Sequence, residues 1–229
     1  NIIFLKIVYI CGMAKVFTEI TRLSDKDCFY IVERHKTEFT YPLHRHKEFE
    51  LNFIQNGKGV RRIVGDSVEE IGDYELVLVG GEDLEHVWEQ GSCQSKDIRE
   101  ITIQFSGDIF GNELLSKNQF ASIQRMLRRA EHGLSFPLST IMKVYSILDD
   151  IAHDKERFVQ FLKSLYILYE LSVSEDARVL ASSSFAHSPR KVESRRVEKV
   201  RQYIDEHYSD QLKLADLAAD CYSKFEIFK

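Results

Sequence analysis

The sequence predicts an α+β protein: a small β-barrel followed by helices. Three observations predict it. Short apolar–polar runs recur between glycine-bearing turns as far as Gly111, which is the pattern of many short strands. Beyond Gly111 the apolar residues switch to helical spacing. Finally, His44, His46 and Glu50 stand two and four residues apart, so on a single strand all three side chains would share one face and line the barrel pocket.

Taken in order, Phe29–Glu33 reads as a strand. Phe49, Leu51 and Phe53 then alternate with Glu48, Glu50 and Asn52. Asn56-Gly57 predicts a hairpin turn, because both residues tolerate positive φ, and Gly59–Val64 would be its returning strand. Gly65-Asp66 turns again into Val68–Ile71. Gly72-Asp73 precedes the apolar run Tyr74–Val79, which Gly80-Gly81 ends. In Arg99–Phe105, Ile101, Ile103 and Phe105 fall on one side.

Phe120, Ile123, Met126, Leu127 and Ala130 predict the first long helix, and Ile141, Val144, Tyr145, Leu148 and Ile151 the second. A third, Phe158–Leu171, is apolar almost all round, so it is either buried or paired with another chain. Lys163 and Ser164 in its middle rule it out as a membrane span. The Ser-rich stretch 181–190 reads as a linker. Arg195–Tyr208 is an amphipathic helix, and a short helix begins near Leu214.

Composition narrows the function classes. With 44% hydrophobic and 29% charged residues, 3 Pro and 11 Gly, the chain is neither disordered nor fibrous. A net charge of -5 argues against a protein that coats nucleic acid over its whole surface. Residues 187–229 hold 9 Lys and Arg against 8 Asp and Glu, leaving 22 against 28 elsewhere; a nucleic-acid contact is permitted in that tail alone. Cys11, Cys28, Cys93 and Cys221 form no CxxC pair, which points to a reducing cytoplasm rather than a disulfide framework. The apolar residues 1–12 have no basic start and are interrupted by Lys6. They read as an extension ahead of a natural start at Met13 rather than as a signal peptide.

Two imidazoles, a carboxylate and a fourth donor, for which His86 is the candidate, make the coordination shell preferred by divalent iron, manganese, nickel or zinc. The competing reading is a polar pocket wall that hydrogen-bonds a small ligand, with Trp88 and Gln104 lining the same cavity.

The spacing His44-x-His46-x3-Glu50-x6-Gly57 resembles the first motif of the cupin superfamily. Gly72 and His86 match the second motif, in which Glu82 and Asp83 replace the usual proline and glycine. This resemblance covers about residues 20–110. The run Arg195–Tyr208, followed by Leu214-Ala-Asp-Leu-Ala218, is similar to the opening of an AraC-type DNA-binding domain. Together they imply a cupin (double-stranded β-helix, or jelly-roll) barrel, a helical linker and an incomplete helix-turn-helix. The segments would be a 1–14 extension, a 15–111 sensing barrel, a 112–180 linker and dimerisation region, a 181–194 flexible linker and a 195–229 partial DNA-binding segment.

Several expectations follow from the resemblance. Phe161, Leu165 and Leu168 would carry dimerisation, and Arg195, Arg196, Ser223 and Lys224 would contact DNA. No turn glycine separates Ala218 from Phe228-Lys229, and the stretch is about one helical turn short for a recognition helix; DNA binding is expected to be impaired by truncation. The chain is expected to be the ligand-sensing and dimerisation portion of an AraC-type transcription regulator, not an enzyme. It would be a cytoplasmic homodimer with a small-molecule effector such as a sugar or metabolite, DNA as partner of the full-length protein, and no membrane association. No cofactor is expected, a divalent metal ion being the alternative; the alternative function is a metal-dependent cupin enzyme.

Overall fold

Strand β4 (Phe49–Gln55) shows how the alternating pattern becomes a fold. In the computed structural model, which describes residues 16–182, Leu51 and Phe53 point to one side of the sheet and Glu50, Asn52 and Ile54 to the other. All five are buried, so both faces of the sheet are covered. Residues 1–14, Cys11, Cys221, the Arg195–Tyr208 run and the DNA-contact candidates Arg195, Arg196, Ser223 and Lys224 lie outside the described residues.

Among the described residues the other strands are β1 (Phe17–Thr18), β2 (Tyr30–Lys36), β3 (His44–Arg45), β5 (Arg61–Val64), β6 (Ser67–Glu70), β7 (Tyr74–Val79), β8 (His86–Glu89), β9 (Ile98–Phe105), β10 (Leu134–Ser135) and β11 (Arg178–Val179). They form a five-stranded sheet in the order β1-β3-β8-β5-β6 and a six-stranded sheet in the order β11-β10-β7-β4-β9-β2. Pairing is antiparallel except between β1 and β3. The two sheets face each other, with Val64 and Trp88 of the first packed in one cluster with Ile54, Val77, Val79 and Ile98 of the second.

The outer face of the six-stranded sheet is closed by helices α2 (Ala121–Ala130), α3 (Leu138–Ile151) and α4 (Arg157–Ser172), which follow a single-turn helix, α1 (Gly111–Leu115). Leu51, Phe53, Leu76, Leu78, Ile101, Ile103 and Phe105 pack there against Met126, Ile141, Val144, Leu148, Ile167 and Leu171. The chain is α+β, and the change from strand to helix near Gly111 agrees with the periodicity. None of the helices among the described residues is long and apolar enough to cross a membrane.

The Asn56-Gly57 expectation needs correction. Asn56 does take positive φ, at 61°, but β4 pairs with β7 and β9 while β5 pairs with β6 and β8. The chain therefore crosses from one sheet to the other here instead of folding back. Gly57 matters through space: a Cβ on it would stand 2.6 Å from Ile54 Cγ2 and 3.0 Å from Ile71 Cδ1. The Gly65-Asp66 turn does close a hairpin, with Val64 opposite Ser67.

A second correction concerns the histidines. His44 and Glu50 do not share a strand: β3 ends at Arg45 and β4 begins at Phe49, in different sheets. The bend between them, pinned by His46, turns both groups into the space between the sheets.

Candidate functional site

Each histidine of the cluster is oriented by a backbone carbonyl two residues away. His44 Nδ1 donates to the Pro42 carbonyl, His46 Nδ1 to that of Glu48 and His86 Nδ1 to that of Leu84, all at 2.9 Å. A carbonyl can only accept, so each Nδ1 carries a proton and the neutral ring keeps its lone pair on Nε2. His44 and His86 are directly opposed on β3 and β8. Ring centroids are 4.3 Å apart for His44 and His86, 4.8 Å for His46 and His86, and 5.8 Å for His44 and His46. One donor nitrogen from each of the three rings falls within 4.8 Å of the other two.

Glu50 faces the rings from β4. Its Oε2 accepts from Gln104 Nε2 at 2.9 Å and its Oε1 from Asn52 Nδ2 at 3.3 Å; β9 delivers Gln104 directly across from Glu50. His46 Nε2 lies 3.3 Å from Glu50 Oε2, close but not aligned as a hydrogen bond. His46 Nε2, His86 Nε2 and Asn52 Oδ1 are buried without a hydrogen bond. Buried nitrogens are normally satisfied, so two bare imidazole lone pairs beside a carboxylate mark a place for a bound electrophile. Nδ1–H to a carbonyl with Nε2 free is also the outer-sphere arrangement that orients histidine ligands of metals.

Burial would raise the Glu50 carboxyl, but His46, His86 and Gln104 outweigh it and hold the group well below the usual carboxylate range. Burial and the neighbouring His44 pull His86 down to about 3. Burial also lowers His44, with Glu50 only partly offsetting it. At His46 burial acts in the same sense, yet Glu50 dominates and raises the imidazole above its ordinary value. Neutral His44 and His86 beside an anionic carboxylate already have the protonation state that metal ligation requires, and an ion would compete with a proton for His46.

The sequence-predicted pocket residues thus divide. His44, His46, Glu50, His86 and Gln104 come together. Trp88 stands at the margin: its ring is 6.1 Å from that of His86, and its Nε1 donates to Glu75 Oε2 at 2.9 Å. Glu75 also pairs with the buried Arg62, a polar cluster that the sequence reading did not contain. Glu19 and Tyr41 at the site were missed as well. Glu19 Oε2 is 3.6 Å from His44 Nε2, and the Tyr41 ring meets the His44 ring edge-on at 4.7 Å. Nothing in the spacing of either residue distinguishes it from an ordinary surface residue.

The site is packed rather than hollow: His44, His46, Glu50 and His86 are 1–6% exposed. Two surface depressions, of about 210 and 350 Å³, are lined by Lys47, Phe49, Glu82 and Glu131 among others, and by His35, Lys36, Lys96 and Asp97 among others, respectively. None of the four donors lines either.

The proposed dimer contacts are placed differently from one another. Leu168 is 1% exposed and belongs to the core beneath α4. Leu165 is half-buried against that core, and Phe161 packs on Phe29 with centroids 6.0 Å apart. The apolar side chains that α4 leaves exposed are instead Phe158, Val159, Leu162, Tyr166 and Tyr169, continued by Val173.

No protein-family model matches the chain, and no curated protein matches its sequence. Solved structures similar to it include ToxT from Vibrio cholerae bound to (E)-4-(8-methylnaphthalen-1-yl)but-3-enoic acid, at 13% identity over 85% of this chain and 71% of that one, with a TM-score of 0.40. Unsaturated fatty acid-bound wild-type ToxT from Vibrio cholerae strain SCE256 is similar at 14% identity over 87% of this chain and 70% of that one, with a TM-score of 0.39. Likeness at this level assigns neither family nor ligand.

Proposed function

We propose that the chain is the sensing and dimerisation part of an AraC-type transcription regulator, and that its sensor holds a divalent transition-metal ion through His44, His46, His86 and Glu50. The observation that carries the metal is the convergence of three imidazoles whose Nδ1 protons are spent on carbonyls, beside an ionised carboxylate. Three nitrogen donors and one oxygen suit zinc, manganese, nickel or iron better than calcium or magnesium. The ion would act as a Lewis acid and offer a remaining coordination position to a small effector. The facing sheets are read as the cupin barrel that the His44–Gly57 motif resembles, and the regulator reading rests on the Arg195–Ala218 resemblance. A metal-dependent enzyme is the alternative reading of the same donors.

The dimer is read onto the exposed face of α4. Phe158, Leu162, Tyr169 and Val173 are spaced symmetrically about the helix middle. Asp154, Lys155, Glu156 and Arg157, balanced in charge, flank one end and Glu170, Glu175 and Asp176 the other. A second copy running antiparallel brings apolar against apolar.

The test is metal analysis of protein purified without chelator, paired with sedimentation. About one zinc per chain, lost in a His44→Ala, His46→Ala variant, is expected, together with a dimer that Leu162→Glu dissociates and whose affinity changes with zinc. Equal metal content in wild type and variant removes the metal. A zinc-bound protein whose self-association ignores the metal removes the sensing role.

A further inference from the structure

The polar cluster between the sheets has a second carboxylate. Glu19 follows directly on β1, whose backbone bonds to β3 include Phe17 N donating to the Leu43 carbonyl at 3.0 Å and Glu19 N to that of Arg45 at 2.9 Å. The pairing is parallel and sets Phe17 beside His44. It directs the Glu19 side chain inwards, where it is 21% exposed, with Oε2 3.6 Å from His44 Nε2. One carboxylate oxygen of Glu19, one of Glu50 and a His46 nitrogen all lie within 4.8 Å of one another. The nearby guanidinium groups are committed elsewhere: Arg45 pairs with Asp83, and Arg34 with Glu100.

Two carboxylates this close, largely withdrawn from water, repel each other and call for a cation between them. His44 and His86 add donors without charge, and a bound ion would take His46 Nε2 in place of a proton, so the two carboxylates supply the charge that neutralises one divalent ion. Resting on the metal reading above, we infer that Glu19 is a fifth donor to the ion, and that metal occupancy latches β1 onto β3. Because β1 has only two residues and sits at the sheet edge, its few backbone bonds hold it weakly by themselves. A Glu19–metal bond would turn that edge strand into the element that reports occupancy. Tyr41 packs across the same opening, 6.4 Å from the Phe17 ring, and joins the latch to the site.

The experiment is hydrogen exchange of the full chain with and without zinc alone, read on the peptide covering Phe17–Ile20, alongside calorimetric zinc titration of wild type, Glu19→Gln and the His44→Ala, His46→Ala variant. Zinc is expected to slow exchange at the Phe17 and Glu19 amides roughly ten-fold, and Glu19→Gln to weaken zinc binding by roughly ten-fold or more while losing that protection. Unchanged exchange in the remaining peptides shows that Glu19→Gln is folded. If wild type binds zinc and Glu19→Gln binds it equally, or if zinc leaves β1 exchange unaltered, the latch is overturned and the four-donor site stands. If wild type binds no zinc, both fall.

Discussion

The two faces of the six-stranded sheet are equally buried and differ in chemistry, the inner one setting polar side chains beside the apolar Ile54, Val77, Val79 and Ile98. Towards the helices, β4, β7 and β9 present Leu51, Phe53, Leu76, Leu78, Ile101, Ile103 and Phe105. Towards the other sheet the same strands present Glu50, Asn52, Glu75, Glu100, Thr102 and Gln104, none more than 6% exposed. Hydrocarbon burial favours folding at about 25 cal/mol per Å², whereas burying polar groups costs free energy unless each is paired. The helix-covered face is therefore the larger source of stability, the inner apolar cluster around Ile54, Val77, Val79 and Ile98 adding to it. The inner face holds polar side chains at definite positions, and at His46 and His86 it leaves lone pairs bare.

Substitutions on the two faces should separate these roles. Phe53→Ala, on the helix side, is expected to cost about 3–5 kcal/mol in urea unfolding without altering the metal stoichiometry of protein that remains folded. A loss of metal from that folded fraction would join the two faces. On the inner face, Arg62→Ala leaves Glu75 buried without its partner and should also cost roughly 3–5 kcal/mol. Replacing both, as Arg62→Met with Glu75→Leu, should recover most of that loss. A double variant no better than the single one would show that the pair itself is stabilising.

His46→Ala removes a buried ring and its bond to the Glu48 carbonyl and is expected to cost metal-free protein about 1–3 kcal/mol. It should abolish the roughly 2.7 kcal/mol of stabilisation that zinc confers at a hundred times its dissociation constant, measured as a zinc-dependent shift in the urea midpoint. A zinc shift that survives would place the ion elsewhere.

The smallest effect lies at the barrel edge. Hydrogen bonds from Arg178, and then from Arg62, hold the Glu69 carboxyl down at about 2. A depressed carboxyl contributes stability above its unfolded value and loses it as the pH falls through the folded one. The contribution should therefore be present at pH 6 and disappear between about 4.5 and 2. Glu69 is 40% exposed, which limits the effect to under about 1 kcal/mol. The comparison is the difference in unfolding free energy between pH 6 and pH 3 for wild type and Glu69→Gln; equal differences would assign the arginines to other partners.

The faces also differ in how far they were legible in the sequence. Period-two alternation in β4, β7 and β9 and helical spacing in α2, α3 and α4 are local properties, so the helix-covered core could be read directly. His44, His46, Glu50 and His86 could be picked out because their residue types and spacing are unusual. What could not be read is set by pairing across long sequence distances. β1, β3, β10 and β11 have two residues each, too few to carry a period. Asn56 takes the positive φ that its residue type suggests, but whether the chain then folds back or changes sheet depends on which strands lie beside it. Glu19 reaches the site only through the β1–β3 pairing. Phe161, Leu165 and Leu168 were drawn from a helix greasy on most sides, and an all-round apolar pattern does not say which side meets the sheet.

The most direct measurement of the central claim is zinc X-ray absorption on the loaded full chain. The clustered nitrogens of His44, His46 and His86 with Glu50 beside them predict about three imidazole scatterers and oxygen donors, all at roughly 2.0–2.2 Å, with imidazole number falling in His46→Ala. A sulfur shell near 2.3 Å, or an oxygen-only shell without imidazole scattering, would contradict it.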